Sequence, residues 1–267
     1  MEIKLENLSY IENKKKFLNN INIKIKEGSI VGFIGDNLFS LTNILTLNKR
    51  PSTGSIILDN IEIKRTNHID DIKKYTNKIG FVPDLDEYSF TKNTVELELA
   101  LKNKIDDNNK HIIDSLKIVG LDLNALNKSP KELSYTEQKK ILLAKIMCYN
   151  PDIIILENFS YGFNYRENEY FRKLFNKLKI KYHKTIIVLS DSAEPLMNFV
   201  DNFYVINNGN IVFEGDKKSF YKDKLYKYIE MPKIIEFTKY LQEKGHKIKE
   251  YTEITELIKE IYRYIKY

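Results

Sequence analysis

Every second residue is apolar in "EIKLENLSY" and again in "INIKIKEG". That period belongs to strands with one face exposed, so two strands are predicted within residues 1–27. The next run, "GSIVGFIG", is apolar throughout and rich in Ile and Val, which predicts a strand buried on both faces. In "GDNLFSLTNILTL", residues 35–47, Leu41, Ile44, Leu45 and Leu47 recur at helical spacing. A strand, a short loop and a helix in that order form the setting in which a glycine-rich loop ending in Gly-Lys-Ser/Thr holds phosphate. This loop has one glycine and no lysine.

The alternation continues through "KRPSTGSIILDNIEI", where Pro51 and Gly54 mark a turn and "DN" separates two short strands, a hairpin. "KIGFVP" is a further buried strand stopped by Pro83. From about 86 to 148 the period becomes helical, in "TVELELALKN", "KHIIDSLKIVGL" and "SYTEQKKILLAKIMCYN". Ser134 stands three residues before Glu137, the spacing of a capping box. Strands return at "PDIIILE", "KTIIVLS", "NFYVIN" and "NIVFEG", with the helix "RENEYFRKLFNKLKIKY" between the first two. Alternating strands and helices imply a largely parallel sheet with helices on both faces. The helices inserted before "PDIIILE" imply a helical subdomain mounted on that sheet. After about 218 the chain is helical again. Pro232 lies near one helix start and Gly245 near its stop, and Ile254, Leu257, Ile258, Ile261 and Ile265 form a one-sided stripe, the pattern of a packing face.

Composition narrows the function classes. With 267 residues and 42% hydrophobic content, the chain has enough apolar mass for a sizeable core. The net charge of +6 comes from 43 basic and 37 acidic residues. The lysines are scattered rather than gathered on one face, so a nucleic-acid partner is not expected. A mild basic bias suits an anionic membrane surface nearby. Cys148 is the single cysteine, which excludes an intrachain disulfide and fits a reducing compartment. His68, His111, His183 and His246 lack metal-ligand spacing. The first residues lack the apolar core of a signal peptide, and runs such as "DIIIL" are far too short to span a bilayer. A protein of the cytoplasmic face, peripheral to the membrane, is the expectation.

In order and spacing, the landmarks resemble the ATP-binding-cassette ATPase family over nearly the whole chain. They are the strand and loop, the "PSTGSIILDN" hairpin, "IGFV", the helical insertion, "ELS", "PDIIILEN", "GFN", "IIVLSDS" and "GNIVFEG". The tail, with "LQEKG" and "TEITELIKEI", looks like the C-terminal extension of energy-coupling-factor vitamin transporters. The resemblance implies an α/β fold of the P-loop NTPase type. A largely parallel sheet would be flanked by helices, with an antiparallel β subdomain, a helical subdomain at about 86–148 and a C-terminal helical extension. The implied domains are a cassette at 1–217 and the extension at 218–267.

Taken residue by residue, the implied chemistry is altered. The family's phosphate loop, Gly-x-x-Gly-x-Gly-Lys-Ser/Thr, matches at Gly35 and Thr42. Leu38 and Ser40 stand for glycines, Leu41 stands for the lysine, and Asn37 and Asn43 complete the segment. Glycines let backbone N–H groups close around phosphate oxygens, and the lysine adds a charge-assisted bond of roughly 1.5–3 kcal/mol. Thr42 is open to two readings, a magnesium ligand or plain helix chemistry. An adenine-stacking aromatic would fall at Glu12, or at Tyr10 if the register shifts by two. Glu157 stands for the magnesium-binding aspartate and Asn158 for the glutamate that polarises the attacking water. An amide is no general base near neutral pH, so that contribution, typically 10²–10⁴-fold, is expected to be absent. Asp191 stands for the histidine that meets the γ-phosphate, Asp84 for the glutamine after "IGFV", and Asn164 for an aspartate in "GFN". Thr42, Asp84 and Glu157 are the candidate metal ligands. The signature helix, Leu-Ser-Gly-Gly-Gln in the family, reads Leu133, Ser134, Tyr135, Thr136, Glu137.

The resemblance thus implies a cassette subunit of a vitamin or metal-ion uptake transporter with degenerate nucleotide motifs. ATP and magnesium are its implied cofactors. Its implied partners are a second cassette ATPase and an integral membrane subunit. Asp84, Asp86 and Glu87 are candidates for receiving arginines of the membrane partner, with a solvated acidic loop as the other reading. A working ATPase with unusual motifs and a cassette protein without a transport role remain open alternatives.

Overall fold

The computed structural model describes residues 1–67, 69–100, 110–222, 225–230, 232–249, 251 and 254–265. Two sheets form its frame. The first is antiparallel and holds β1 (Ile3–Glu12), β2 (Lys15–Ile25), β4 (Thr53–Leu58) and β5 (Ile61–Ile63), in the order β2-β1-β4-β5. The second contains β3 (Ile30–Gly35), β6 (Ile79–Val82), β7 (Ile153–Glu157), β8 (Thr185–Ser190), β9 (Asn202–Asn207) and β10 (Asn210–Asp216), in the order β10-β9-β3-β8-β7-β6. Only β10 runs antiparallel to its neighbour in that sheet.

The helices are α1 (Leu38–Leu45), α2 (Ile69–Thr76), α3 (Val95–Leu99), α4 (Lys110–Val119), α5 (Tyr135–Met147), α6 (Tyr165–Tyr182), α7 (Lys217–Lys222), α8 (Lys233–Glu243) and α9 (Ile254–Ile265). Helix α2 is absent from the sequence reading: Ile69, Ile72 and Tyr75 stand three apart, but eight residues fall short of the window over which a helical period is read. The end of "TVELELALKN" lies outside the described residues.

The central strands are buried on both faces, as their unbroken apolar runs require. Alternate residues serve two cores. Ile154, Leu156, Ile186 and Val188 join a core with α4, α5 and α6. Ile153, Ile155, Ile187 and Leu189 join another with the antiparallel sheet, α1 and Tyr75 of α2. The expected antiparallel β subdomain thus packs with α1 and α2 on one face, and the helical insertion packs with α6 on the other. The alternating strands β1 and β2 have one apolar face each, and stacking that face on the parallel sheet buries it.

Capping fixes the helices that reach the site. Ser134 and Glu137 form the predicted capping box at the start of α5, and Asn164 and Glu167 form another at α6. In the C-terminal helices Pro232 precedes α8, and Gly245 turns at φ +89° just after it. The stripe of α9 is covered only in part. Leu257 is 3% exposed, whereas Ile254 is 60% and Ile258 44% exposed. Among the described residues no helix is long and apolar enough to cross a membrane.

Candidate functional site

The carboxyl ends of β3, β7 and β8 open onto a cleft of about 310 Å³. This is where open α/β sheets bind ligands. Five acidic residues line it, Asp36, Asp84, Glu87, Glu157 and Asp191, with Asn37 and Asn158, and no lysine or arginine does.

The loop after β3 is held from below. Gly35 has φ +122°, and a Cβ there would lie 1.9 Å from the Ile206 carbonyl oxygen of β9. The Asp36 carboxylate accepts from the backbone N–H groups of Asn208 (2.6 Å) and Gly209 (3.3 Å) and from Asn37 Nδ2 (2.9 Å). Asp36 is thus tied to the β9–β10 turn. Asn37 is left-handed at φ 56° and gives α1 no side-chain cap. From Leu38 the chain is already helical, and the Leu41 N–H donates to the Asn37 carbonyl.

Of the candidate phosphate-loop residues, Gly35, Asn37 and Leu38 line the cleft, and Ser40, Leu41, Thr42 and Asn43 do not. Leu41 is fully buried in the core under the antiparallel sheet. Asn43 Nδ2 donates to the Phe39 carbonyl. Thr42 is 4% exposed and its hydroxyl has no hydrogen-bond partner. Phe39, which the sequence reading passed over, is 66% exposed at the cleft wall.

Three motif positions converge on one side chain. Asn158, at the end of β7, sits at φ 42°. Its Nδ2 donates to Asp84 (2.9 Å) and reaches Asp191 at 3.4 Å. Glu157 is tuned by the same neighbourhood: burial raises its carboxyl above the usual range, and the charges of Glu87, Asp84 and Asp191 raise it further. Thr42 lies apart from this group. Among the described residues no cluster of three or more His, Cys, Asp or Glu side chains is arranged to hold a metal ion. A triphosphate needs donors and positive charge, and this lining supplies five carboxylates, two amides and one hydroxyl, with no cationic side chain. The donor set does not fit magnesium–ATP.

The signature segment is bound into its own subunit. Glu137 accepts from the Ser134 N–H (2.9 Å) and hydroxyl (2.7 Å), which holds its carboxyl below the usual range. Tyr135 is half-buried, and its phenol is pushed up to about 12 by burial and then by the charges of Asp84 and Asp86. Thr136 is half-buried in the first turn. Tyr10 is 6% exposed and packs near Phe17, so it offers no open stacking face, and Glu12 pairs with Lys49. Asp86 and Glu87 remain exposed, while Asp84 turns to Asn158.

Lys139 was missed from sequence. It is 1% exposed, one turn beyond Tyr135 on α5. Its Nζ donates to the carbonyls of Asn158 (2.6 Å) and Tyr161 (3.1 Å), between the rings of Tyr135 and Tyr161. The i, i+4 spacing to Tyr135 was the available signal. Burial lowers its pKa to about 8, against the pull of Asp84 and Asp86. The unfolded chain keeps this proton up to the ordinary value of 10.5. Between those values the unfolded state binds more protons, so this group adds stability as pH rises. Urea unfolding from about pH 7.5 to 10 is expected to show the wild type gaining on Lys139→Met. Parallel stabilities would refute the assignment.

Comparison with known proteins bears on this geometry. The family model "ABC transporter" matches residues 18–159. The chain is 30% identical over 272 residues to the energy-coupling factor transporter ATP-binding protein EcfA2 of Clostridium perfringens, covering 94% of this chain and 93% of the relative. The protein of the same name from Clostridium acetobutylicum is 28% identical over 269 residues, covering 93% and 92%. Among solved structures, cbiO1 of Clostridium perfringens, part of the ABC transporter complex cbiONQ, superposes with a TM-score of 0.73. It is 24% identical, with 83% of this chain and 91% of that one covered. The cassette MJ0796, a dimer bound to ADP and Pi, gives 0.72 at 22% identity, covering 80% and 98%. The order of sheets and helices, the matched family model and the near full-length relatives agree, and the chain belongs to the ABC transporter family.

Proposed function

We propose that this chain is the non-catalytic cassette subunit of an uptake transporter of the energy-coupling-factor type. It pairs with a second, catalytically active cassette and rests on an integral membrane subunit at the cytoplasmic face. The cargo class is a vitamin or a metal ion. The names of the near full-length relatives support the transporter type. The observation that carries the non-catalytic role is the bridge from Asn158 to Asp84 and Asp191. The residues at the base, glutamine and histidine positions are tied to one another, and the amide at the base position cannot take a proton from water. Asp86 and Glu87, exposed beside the cleft, suit a basic helix of the membrane partner.

The unpartnered Thr42 hydroxyl favours a different reading, in which magnesium is still held and the subunit hydrolyses ATP. Calorimetric titration of magnesium–ATP into the purified chain separates the two. The expected result is a dissociation constant weaker than about 1 mM, less than about 4.1 kcal/mol of binding. Micromolar binding would sink the non-catalytic assignment.

A further inference from the structure

A cleft of about 650 Å³ lies at the opposite end of the parallel strands from the acidic one. Asn150 and Lys184, which border it, stand just before β7 and β8. Its walls are α4 and α6, from the helical insertion and the sheet layer. Ile118, Met147, Leu174 and Leu178 make an apolar floor. The Tyr170 hydroxyl donates to the Ile118 carbonyl at 2.8 Å, which fixes that ring as an end wall.

The rim is basic. Lys117, Lys173 and Lys177 are exposed around the floor and none makes a close ion pair among the described residues, although Lys173 lies near enough to Glu169, itself paired with Arg172, to hold its carboxyl down. Lys184 is committed to the Asn150 carbonyl and to Asp152. Asp114 is the acidic residue of the lining, so positive charge prevails. Lysine stems extend apolar walls while their ammonium groups stay in water. An apolar floor under three exposed lysines recognises a molecule with an apolar body and an anionic head.

Shape limits the occupant. The α6 residues lining the cleft run from Tyr170 to Tyr182, about 18 Å at the rise of a helix. A groove of that length, open along one side, takes an extended hydrocarbon chain over the four apolar floor residues, with an anionic head at the lysines.

We infer that the cleft between α4 and α6 binds a single-chain amphipathic carboxylate of the fatty-acid class, with the carboxylate among Lys117, Lys173 and Lys177 and the chain over Ile118, Leu174 and Leu178. The occupant bridges the helical insertion and the sheet layer. The site shares no residue with the acidic cleft and stands whether or not nucleotide binds there.

Calorimetry with the full chain and dodecanoate, below its micellar concentration, tests this. The expected result is micromolar binding that weakens at least tenfold in the K117Q/K173Q/K177Q variant, whose substitutions are all on the surface. Leu174→Trp, which fills the groove, is expected to abolish binding with the far-ultraviolet circular dichroism unchanged. Dodecyltrimethylammonium, the charge-reversed probe, is expected not to bind. Equal binding of the two amphiphiles, equal affinity in the triple-lysine variant, or no binding of dodecanoate to the wild type would each overturn the assignment.

Discussion

Replacing Gly35 with alanine is expected to destabilise the protein by about 4 kcal/mol or more, most of the stability of a marginal domain. The added Cβ would lie 1.9 Å from the Ile206 oxygen, 2.9 Å from its carbonyl carbon and 3.1 Å from its nitrogen. All three are backbone atoms of β9, which pairs with β3 in parallel register, so neither strand can yield without losing the ladder. The φ of +122° adds conformational strain for any residue with a Cβ. Gly245→Ala is the control. It also has a positive φ, +89°, with nothing within 4 Å of the added carbon, and is expected to cost about 1 kcal/mol. Urea denaturation of both variants gives the comparison. A loss at Gly35 no larger than at Gly245 would show that strand contact does not govern this position. The phosphate-loop glycine survives here because β3 crosses so close to β9, and that requirement persists with or without a phosphate.

The frame was legible because its signals are local and repeated. Two apolar periods, the Ser134–Glu137 pair, Pro232 and Gly245 each fix an element without reference to the rest of the chain. What covers each face of the central sheet was not local. Ile153 and Ile154 look alike in sequence, yet one faces the antiparallel sheet side and the other the helical side. The individual replacements in the site could be seen, but their mutual satisfaction could not. Asp84, Asn158 and Asp191 are 74 and 33 residues apart along the chain, and only the sheet brings them within hydrogen-bonding distance. Lys139 escaped notice for a related reason. A lysine on a helix is usually solvated, and its burial rests on carbonyls contributed by the loop after β7.

That mutual satisfaction makes a second strong prediction. Returning a glutamate to position 158 is expected to destabilise the protein by about 2–4 kcal/mol rather than restore a catalytic base. The substitution removes the donor that Asp84 accepts from at 2.9 Å and adds a third carboxylate beside Asp84 and Asp191. It also places a longer side chain at φ 42°, a conformation that asparagine tolerates better. In this protein the amide stands at 158 and the carboxylate at 84, the reverse of the pattern that the sequence resemblance implies. Reversing both residues, as Asp84→Gln with Asn158→Glu, restores an amide facing a carboxylate. The double variant is therefore expected to be more stable than Asn158→Glu alone by about 1–3 kcal/mol, a coupling of the size seen between residues in contact. Urea unfolding of the wild type, both single variants and the double variant closes the cycle. Additive losses would mean that positions 84 and 158 tolerate their residues independently, and the picture of a site rewired around one amide would fall. Steady-state assays of the same four proteins are expected to show no gain in ATP hydrolysis, since Leu41 stays buried away from the cleft and the remaining lining carboxylates still repel the phosphates.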